Sequence, residues 1–339
     1  MPLRLFCLLL LVLSATARSE PLFDSDEPLA IRLSAPFRLI DRERDKDKEY
    51  EGTLSYDDPA HGPTTLQAKL SVRGNFRLRK DVCSHAQLWV NLKKGEVKGT
   101  LFDGQNKLKL VVQCKDSDRY AEYLARERQA YLMFQALSEL SLATRPLMVS
   151  YSDSEEGDSR EQMAFFIQHQ KNLAKAHDME VFDEERAPRD RLDPQQSATV
   201  ALFMYLVSNT DYSMIAAAPG DSCCHNIKLL QDADGRLYPL PYDYDSTGFV
   251  DASYAEPATG IGQRNVQERM YRGYCAEEAV TMAAVELHRS KRDSIYAIAE
   301  SSPVIRDRSV KRTRKYLDKF YDVIDDPRKL QREVLEECR

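Results

Sequence analysis

The chain of 339 residues lacks several features that would have settled its class at once. It has no internal repeat and no long low-complexity tract, which excludes a repeat array. Basic residues are not in excess: 48 Lys and Arg stand against 54 Asp and Glu, a formal charge of −6, so nothing points to a nucleic-acid surface. Beyond the N-terminus no segment is apolar enough to span a bilayer. Histidines are few near the aspartates discussed below, which counts against a metal-dependent hydrolase. No cysteine follows the N-terminal apolar run at a cleavage position, so a lipoprotein is not expected. The cluster Cys223-Cys224-His225 matches no common zinc spacing.

What is present reads as a globular protein of two domains or lobes, 42% hydrophobic and 30% charged. The N-terminus, "MPLRLFCLLLLVLSATARSEP", has a positive Arg4, an apolar core from Leu5 to Leu13 and a small-residue Ala15-Thr16-Ala17 site. It predicts a signal peptide over residues 1–17 and export to the periplasm or medium. Six cysteines remain after cleavage, an even number in an oxidising compartment, so disulfides are expected. Cys83 and Cys114 lie at the edges of β-like segments and form the first expected pair. Cys275 with Cys224 or Cys223 comes next.

Residues 28–115 read as strands and hairpins: "LAIRLSAPFRLI", "EYEGTLSY", "TLQAKLSVRG", "AQLWVNL" and "NKLKLVVQC". The mixed-charge "DRERDKDK" is expected to be a solvated hairpin tip. From Tyr120 to Leu140 the apolar spacing turns helical. "LMVSYSD" and "MAFFIQH" are strands flanking a polar loop. Asp193 and Pro194 then open a helix running to about Ser208, as N-cap and first helical residue. "NIKLLQ" and "RLYPLPYDYD" form a β-hairpin about the turn "DADG", and the chain ends in a helix with Tyr316, Phe320 and Ile324 on one face. The expected organisation is an α+β protein of two lobes, a β-rich lobe with one helix over 18–155 and a mainly helical lobe with a β-hairpin over 156–339.

Four features carry chemistry. Glu127 lies inside the apolar stripe of its helix and needs a cation partner if it is buried; at the stripe's margin it would instead reach solvent. Lys109 shares a strand face with Lys107 and Val111, and could be that partner or an ordinary exposed lysine. Asp211, in "NTDYS" just after a helix, suits a general base, although the same residues suit a helix-ending turn. Asn226 opens the late hairpin and Asp243 closes it, so the two should be neighbours, a hard-oxygen pair suited to Mg²⁺. "DADG" fails as a calcium loop because Arg236 and Leu237 stand where the next ligand and the glycine belong.

The order Lys, Glu, Asp, Asn, Asp is the order of parts in a protein kinase. "NTDYS…HNIKLL…LYPLPYDYD" resembles the pattern of HipA-type kinases, while "LSVRGNFRLRK" and "PYDYDSTG" resemble the CotH family of coat-associated and secreted kinases. The resemblance is one of motif order, over about 65–255, and it implies a two-lobed kinase-like fold. By it, Lys109 would hold the α- and β-phosphates of ATP and pair with Glu127. Asp211 would be the catalytic aspartate, and Asn226 and Asp243 would bind Mg²⁺ or Mn²⁺. Asp245 would be a second ligand or take the place of Asp243. Arg73 would lie near the phosphates, and "FFIQHQ", with Gln168, would form an adenine-binding hinge. The chain departs from the pattern in having no G-x-G-x-x-G and no H-R-D, and in the fifteen-residue separation of Asp211 and Asn226.

The reading that follows is an exported enzyme moving a phosphoryl (or nucleotidyl) group from ATP to a protein or envelope acceptor. A disulfide-held binding module without catalysis and a metal-dependent phosphoester hydrolase using Asp211, Asp243 and Asp245 are the alternatives.

Overall fold

A computed structural model describes residues 20–217 and 222–339. The expected signal peptide, residues 1–17, lies outside the described residues.

Seven strands of the first half alternate apolar and polar residues, and they close on one another. They are β1 (Leu29–Ala35), β2 (Tyr50–Asp58), β3 (Gly62–Val72), β4 (Leu88–Leu92), β5 (Lys107–Val112), β6 (Thr144–Asp153) and β7 (Ser159–Ile167). The order is β1-β2-β3-β4-β5-β7-β6, and β6 returns to β1. All neighbours are antiparallel except β1 and β6, which run parallel from Leu29 opposite Leu147 to Ala35 opposite Asp153. This closure overturns the two-lobed, kinase-like fold expected above. The half expected as an N-terminal lobe is a closed mixed barrel, whose last strand extends to Ile167. Closure removes the unpaired edges an open sheet would leave. Alternation specifies which face of a strand is apolar, but not which distant strand will lie beside it.

The barrel is filled by one side chain in two from each strand, among them Leu33, Leu54, Leu70, Val90, Leu110, Val149 and Phe166. The polar "DRERDKDK" segment is more than a solvated tip. Pro36, with no N–H to donate, precedes α1 (Phe37–Glu43), and Arg44 then turns into the left-handed region at φ 55°. Its buried guanidinium donates to the carbonyls of Leu78, Cys83 and Ser84.

A second core lies outside the barrel. After the one-turn α2 (Lys94–Val97), the long α3 (Asp118–Leu137) lays Leu124, Met133 and Phe134 against Val111, Phe165 and Ile167, on the outer faces of β5 and β7. "AFFI" is therefore buried on both sides of its strand, which is why it reads as a continuous apolar run. Beyond α4 (Gln170–Ala176), α5 (Pro194–Val207) runs through this core, buried continuously from Ala198 to Val207. It is capped as expected, with Asp193 accepting the Gln196 N–H at 2.8 Å and Pro194 at its start.

The expected hairpin is β9 (Ile227–Gln231) and β10 (Leu237–Pro241), and the short β8 (Glu180–Val181) adds a third strand beside β9. The end of the chain packs as α6 (Glu278–Ser290), α7 (Arg292–Glu300), α8 (Asp307–Asp325) and α9 (Pro327–Leu330), with Tyr316, Phe320 and Ile324 of α8 buried. No helix among the described residues is long and apolar enough to cross a membrane.

Three disulfides are formed. Cys83–Cys114 is the expected pair. Cys275 bonds Cys338 rather than either member of the Cys223, Cys224 pair, and those two adjacent cysteines bond each other. The C-terminus folds back beside Cys275, whose N–H donates to the Arg339 carbonyl, and this return brings Cys338 within reach.

Candidate active site

A cleft of about 740 Å³ lies where the outer face of β4 and β5 meets the ends of α5, β9 and β10. The volume suits a small-molecule ligand. Of the residues singled out in the sequence, Arg73, Lys109, Asp211, Asn226, Asp243 and Asp245 all line it. Glu127 stands behind its wall. Gln168 lies elsewhere: its side-chain amide donates to Glu20 and accepts from the Ala143 N–H, and it lines no part of this cleft.

The barrel wall carries the cations. Arg73 leaves β3 with its N–H donated to the Gln87 carbonyl, and Gly74, at φ 84°, turns the chain away. A short 3-10 turn over Phe76–Leu78 then points Arg77 inward. The Cys83–Cys114 disulfide ties this loop to the end of β5, with the Ser84 N–H donated to the Cys114 carbonyl at 2.9 Å. Lys109 projects from β5 between the inward-facing Leu108 and Leu110.

The opposite wall carries the carboxylates. The turn out of β10 is set by its tyrosines and prolines. Tyr244 is fully buried against Tyr131 and Phe203 and donates its hydroxyl to the Pro241 carbonyl. That anchor sends Asp243 and Asp245, on either side of it, toward the cleft. Asp243 takes φ 64°, and its N–H donates to the Tyr131 hydroxyl, one turn along α3 from Glu127. Asn226 is also left-handed, at φ 52°. Strained non-glycine backbone of this kind persists only where its surroundings hold it.

One guanidinium joins three acids. Arg77 donates to Glu127 at 2.9 and 3.3 Å and to Asp243 at 3.1 Å, and its Nε lies 3.2 Å from Asp245. Arg77 is 7% exposed and Glu127 2%. Glu127 therefore has the cation partner its position demanded, but the partner is Arg77 and not Lys109. Lys109 approaches Asp243 instead, at 3.9 Å, with its ammonium 4.7 Å from the centre of the Tyr242 ring. Sequence reasoning passed over Arg77 although it lies in the quoted "VRGNFRLRK", four residues after Arg73. The available signal was that a buried Glu127 needs a partner, and a basic loop between strands can supply one as well as a strand lysine can.

The electrostatics follow from this crowding. Burial alone would lower Arg77, but the charges of Asp245, Glu127 and Asp243 outweigh it and hold it well above its ordinary value. Burial pushes the Asp245 carboxyl up to about 7; Arg77 pulls it down, and the Asp243 and Glu127 charges raise it again. Burial also opposes the charge on Asp243, yet Lys109, Arg77 and Arg73 bring it down to about 2. Lys109 is lowered to about 8, chiefly by burial, and Arg73 to about 10, by burial and then by Arg77.

An oxygen from each of Glu127, Asp243 and Asp245 lies within 4.8 Å of the others, a spacing that can hold a metal ion. The Arg77 guanidinium contacts all three, so a cation there must share them with it. Asn226 turns instead toward Asp211, donating to its backbone carbonyl at 2.6 Å. Asp211 itself is exposed and pairs with His225 Nε2 at 3.0 Å. The expected metal set is thus split between two aspartates, Asp245 buried and Asp243 partly exposed to the cleft, and an amide at the rim.

No protein-family model matches the chain, and a search of curated proteins finds no relative. The resemblance carried by "NTDYS…HNIKLL…LYPLPYDYD", "LSVRGNFRLRK" and "PYDYDSTG" therefore rests on those segments alone.

Proposed function

We propose that the cleft binds a nucleoside triphosphate with Mg²⁺ or Mn²⁺ and transfers its terminal phosphoryl group to a hydroxyl of a protein or envelope acceptor. One observation carries this reading. Arg73, Arg77 and Lys109 converge with Asp243 and Asp245 in one cleft, with Glu127 behind its wall, and among the described residues two of the cations are not fully matched. Arg73 is 8% exposed, its Nε has no hydrogen-bond partner among the described residues, and its guanidinium makes a long 3.4 Å contact to the Leu110 carbonyl. Among the described residues the Lys109 ammonium has a single carboxylate within 4 Å, beyond hydrogen-bond distance. Buried donors without acceptors are costly, and phosphate oxygens satisfy them.

Each residue then has a role. Lys109 and Arg73 receive phosphate oxygens. Asp243, with Asp245 beside it, would hold the metal ion, which would supply positive charge against that spreading over the transferred group. Arg77 holds the two aspartates and Glu127 in place and serves as a positioning residue. Asp211, exposed at the rim, takes the proton of the acceptor hydroxyl as its oxygen attacks the γ-phosphorus. The bond from that phosphorus to the bridging oxygen breaks, and the nucleoside diphosphate leaves. The three disulfides support export of the chain to an oxidising compartment.

The test is thermal unfolding of the mature chain, disulfides intact, with Mg²⁺ or Mn²⁺, with and without ATP. A ligand that binds only the folded state raises the midpoint. The expected result is a metal-dependent rise with ATP that is lost in Asp243→Ala. A well-folded sample with no response to ATP sinks the proposal in favour of a binding module, and a response to metal alone favours the hydrolase.

A further inference from the structure

Trp89 is the only tryptophan of the chain, and the transfer described above gives it no task. Register places it in β4 between Ser71 of β3 and Lys109 of β5. Leu88 and Val90, on either side of it, enter the barrel core, so the indole projects from the outer face. Along that face Arg73 lies beside Gln87, Trp89 beside Lys109, and Asn91 beside Lys107. Trp89 is half-buried and lines the same cleft as Arg73 and Lys109. The Lys107 ammonium lies 4.7 Å from its ring, and the His169 imidazole 6.4 Å away at a 40° tilt.

We infer that Trp89 is the stacking platform for the base of the nucleotide, a conclusion that rests on the transfer reading above. Directly opposed residues of an antiparallel pair sit about 5 Å apart. A planar, weakly polar group held one ribose away from phosphates on Lys109 and Arg73 therefore falls within reach of the indole. The indole is only part-buried where it faces the cleft, and a base there would cover the rest of it. The ring already attracts a cation, Lys107, and its neighbour His169 is a planar heterocycle, so the surroundings suit a nucleobase. Stacking tolerates any base because every base has a π-face. The site should accept ATP and GTP alike. It also replaces Gln168 as the base-binding element.

The single tryptophan makes the test direct, since emission of the mature chain reports on this residue. The chain is titrated with Mg-ATP, Mg-GTP and Mg-tripolyphosphate, with the unfolding midpoint followed in parallel. Both nucleotides should change the Trp89 emission saturably, and tripolyphosphate should raise the midpoint without that change. Trp89→Leu should weaken Mg-ATP, followed by the midpoint, by roughly 5- to 150-fold and leave tripolyphosphate unaffected, while Trp89→Phe keeps most of the affinity. A midpoint rise with Mg-ATP and unchanged emission overturns the inference and leaves the transfer reading standing. So does an equal loss of ATP and tripolyphosphate in Trp89→Leu in a sample whose ligand-free midpoint is that of the parent. If no ligand moves the midpoint, the transfer reading fails and this inference fails with it.

Discussion

Leu108, Leu110 and Val112 point from β5 into the barrel; Lys109 points from the same strand into the cleft. The two sides of this one strand are both largely withheld from water and are chemically opposite. Inside, dispersion and apolar burial do all the work, and any well-shaped hydrocarbon would serve. Outside, Arg73, Arg77 and Lys109 meet Glu127, Asp243 and Asp245, and charges removed from water are costly unless they find partners, as Arg77 does here and Arg73 and Lys109 do only in part. The difference teaches that burial in this protein has two purposes. The barrel interior contributes stability, and the cleft spends part of it to hold charges where a phosphate and a metal can use them.

The sharpest way to break this contrast is to remove the common partner of the acids. Arg77→Met leaves Glu127, Asp243 and Asp245 without their shared guanidinium, and it should cost about 3–5 kcal/mol in urea unfolding. Adding Asp245→Asn should return part of that loss. If Arg77→Met unfolds at the parent's urea midpoint, the cluster is not held as described.

Leu110→Ala tests the other side of the strand. It opens a cavity in the barrel and should cost about 2–5 kcal/mol, while the ATP-dependent rise in midpoint persists. Loss of that rise with the fold intact would mean that the two faces are not separable.

Asp245→Asn should change a pH profile. Its folded value of about 7 stands above the ordinary carboxyl, so between about pH 4 and 7 the folded chain keeps a proton that the unfolded chain has lost. The associated stability is present below pH 4 and is lost as the pH rises through 7. Stability of the parent therefore falls across that window, and the substitution should flatten the fall. The lowered Asp243 acts in the opposite sense and only below about pH 4, where its stabilisation is lost as the pH drops through 2. A profile identical to the parent's between pH 4 and 7 would reassign the proton.

The smallest effect on stability belongs to Lys109→Met. Burial already opposes its charge and brings it down to about 8, and the nearest carboxylate among the described residues, Asp243, is 3.9 Å away. Replacing it with an apolar chain of similar length should move stability by less than about 1 kcal/mol, in either direction. The same change should abolish the midpoint rise with Mg-ATP. Stability and ligand response moving together would undo the distinction drawn here.

Local chemistry was readable where neighbours along the chain decide the outcome. Asp193 and Pro194 cap and open α5 because a side-chain acceptor and a fixed φ act within one turn. The β9–β10 hairpin follows from two apolar segments about a tight polar turn, and it brings Asn226 and Asp243 to one cleft as its register requires. Cys83, in the loop before β4, meets Cys114, just past β5, because those two strands pair antiparallel and bring the start of one beside the end of the other. Other pairings escaped because their partners are distant. Cys275 meets Cys338 across 63 residues, a closeness set by helix packing and not by any pattern near either cysteine.

The sequence by itself determined which faces of the strands are apolar, where the main helices begin, and which charged residues are too deeply set among apolar ones to be ordinary surface. Only the tertiary structure decided that β1 would run parallel to β6 and close a barrel, and that Arg77 would take Glu127 while Lys109 turned to Asp243. The physical reason is the same in both cases. Alternation and propensity act between residues a few positions apart. A strand's partner or a buried acid's counter-ion is chosen by which of several suitable candidates the packed chain brings within a few ångströms.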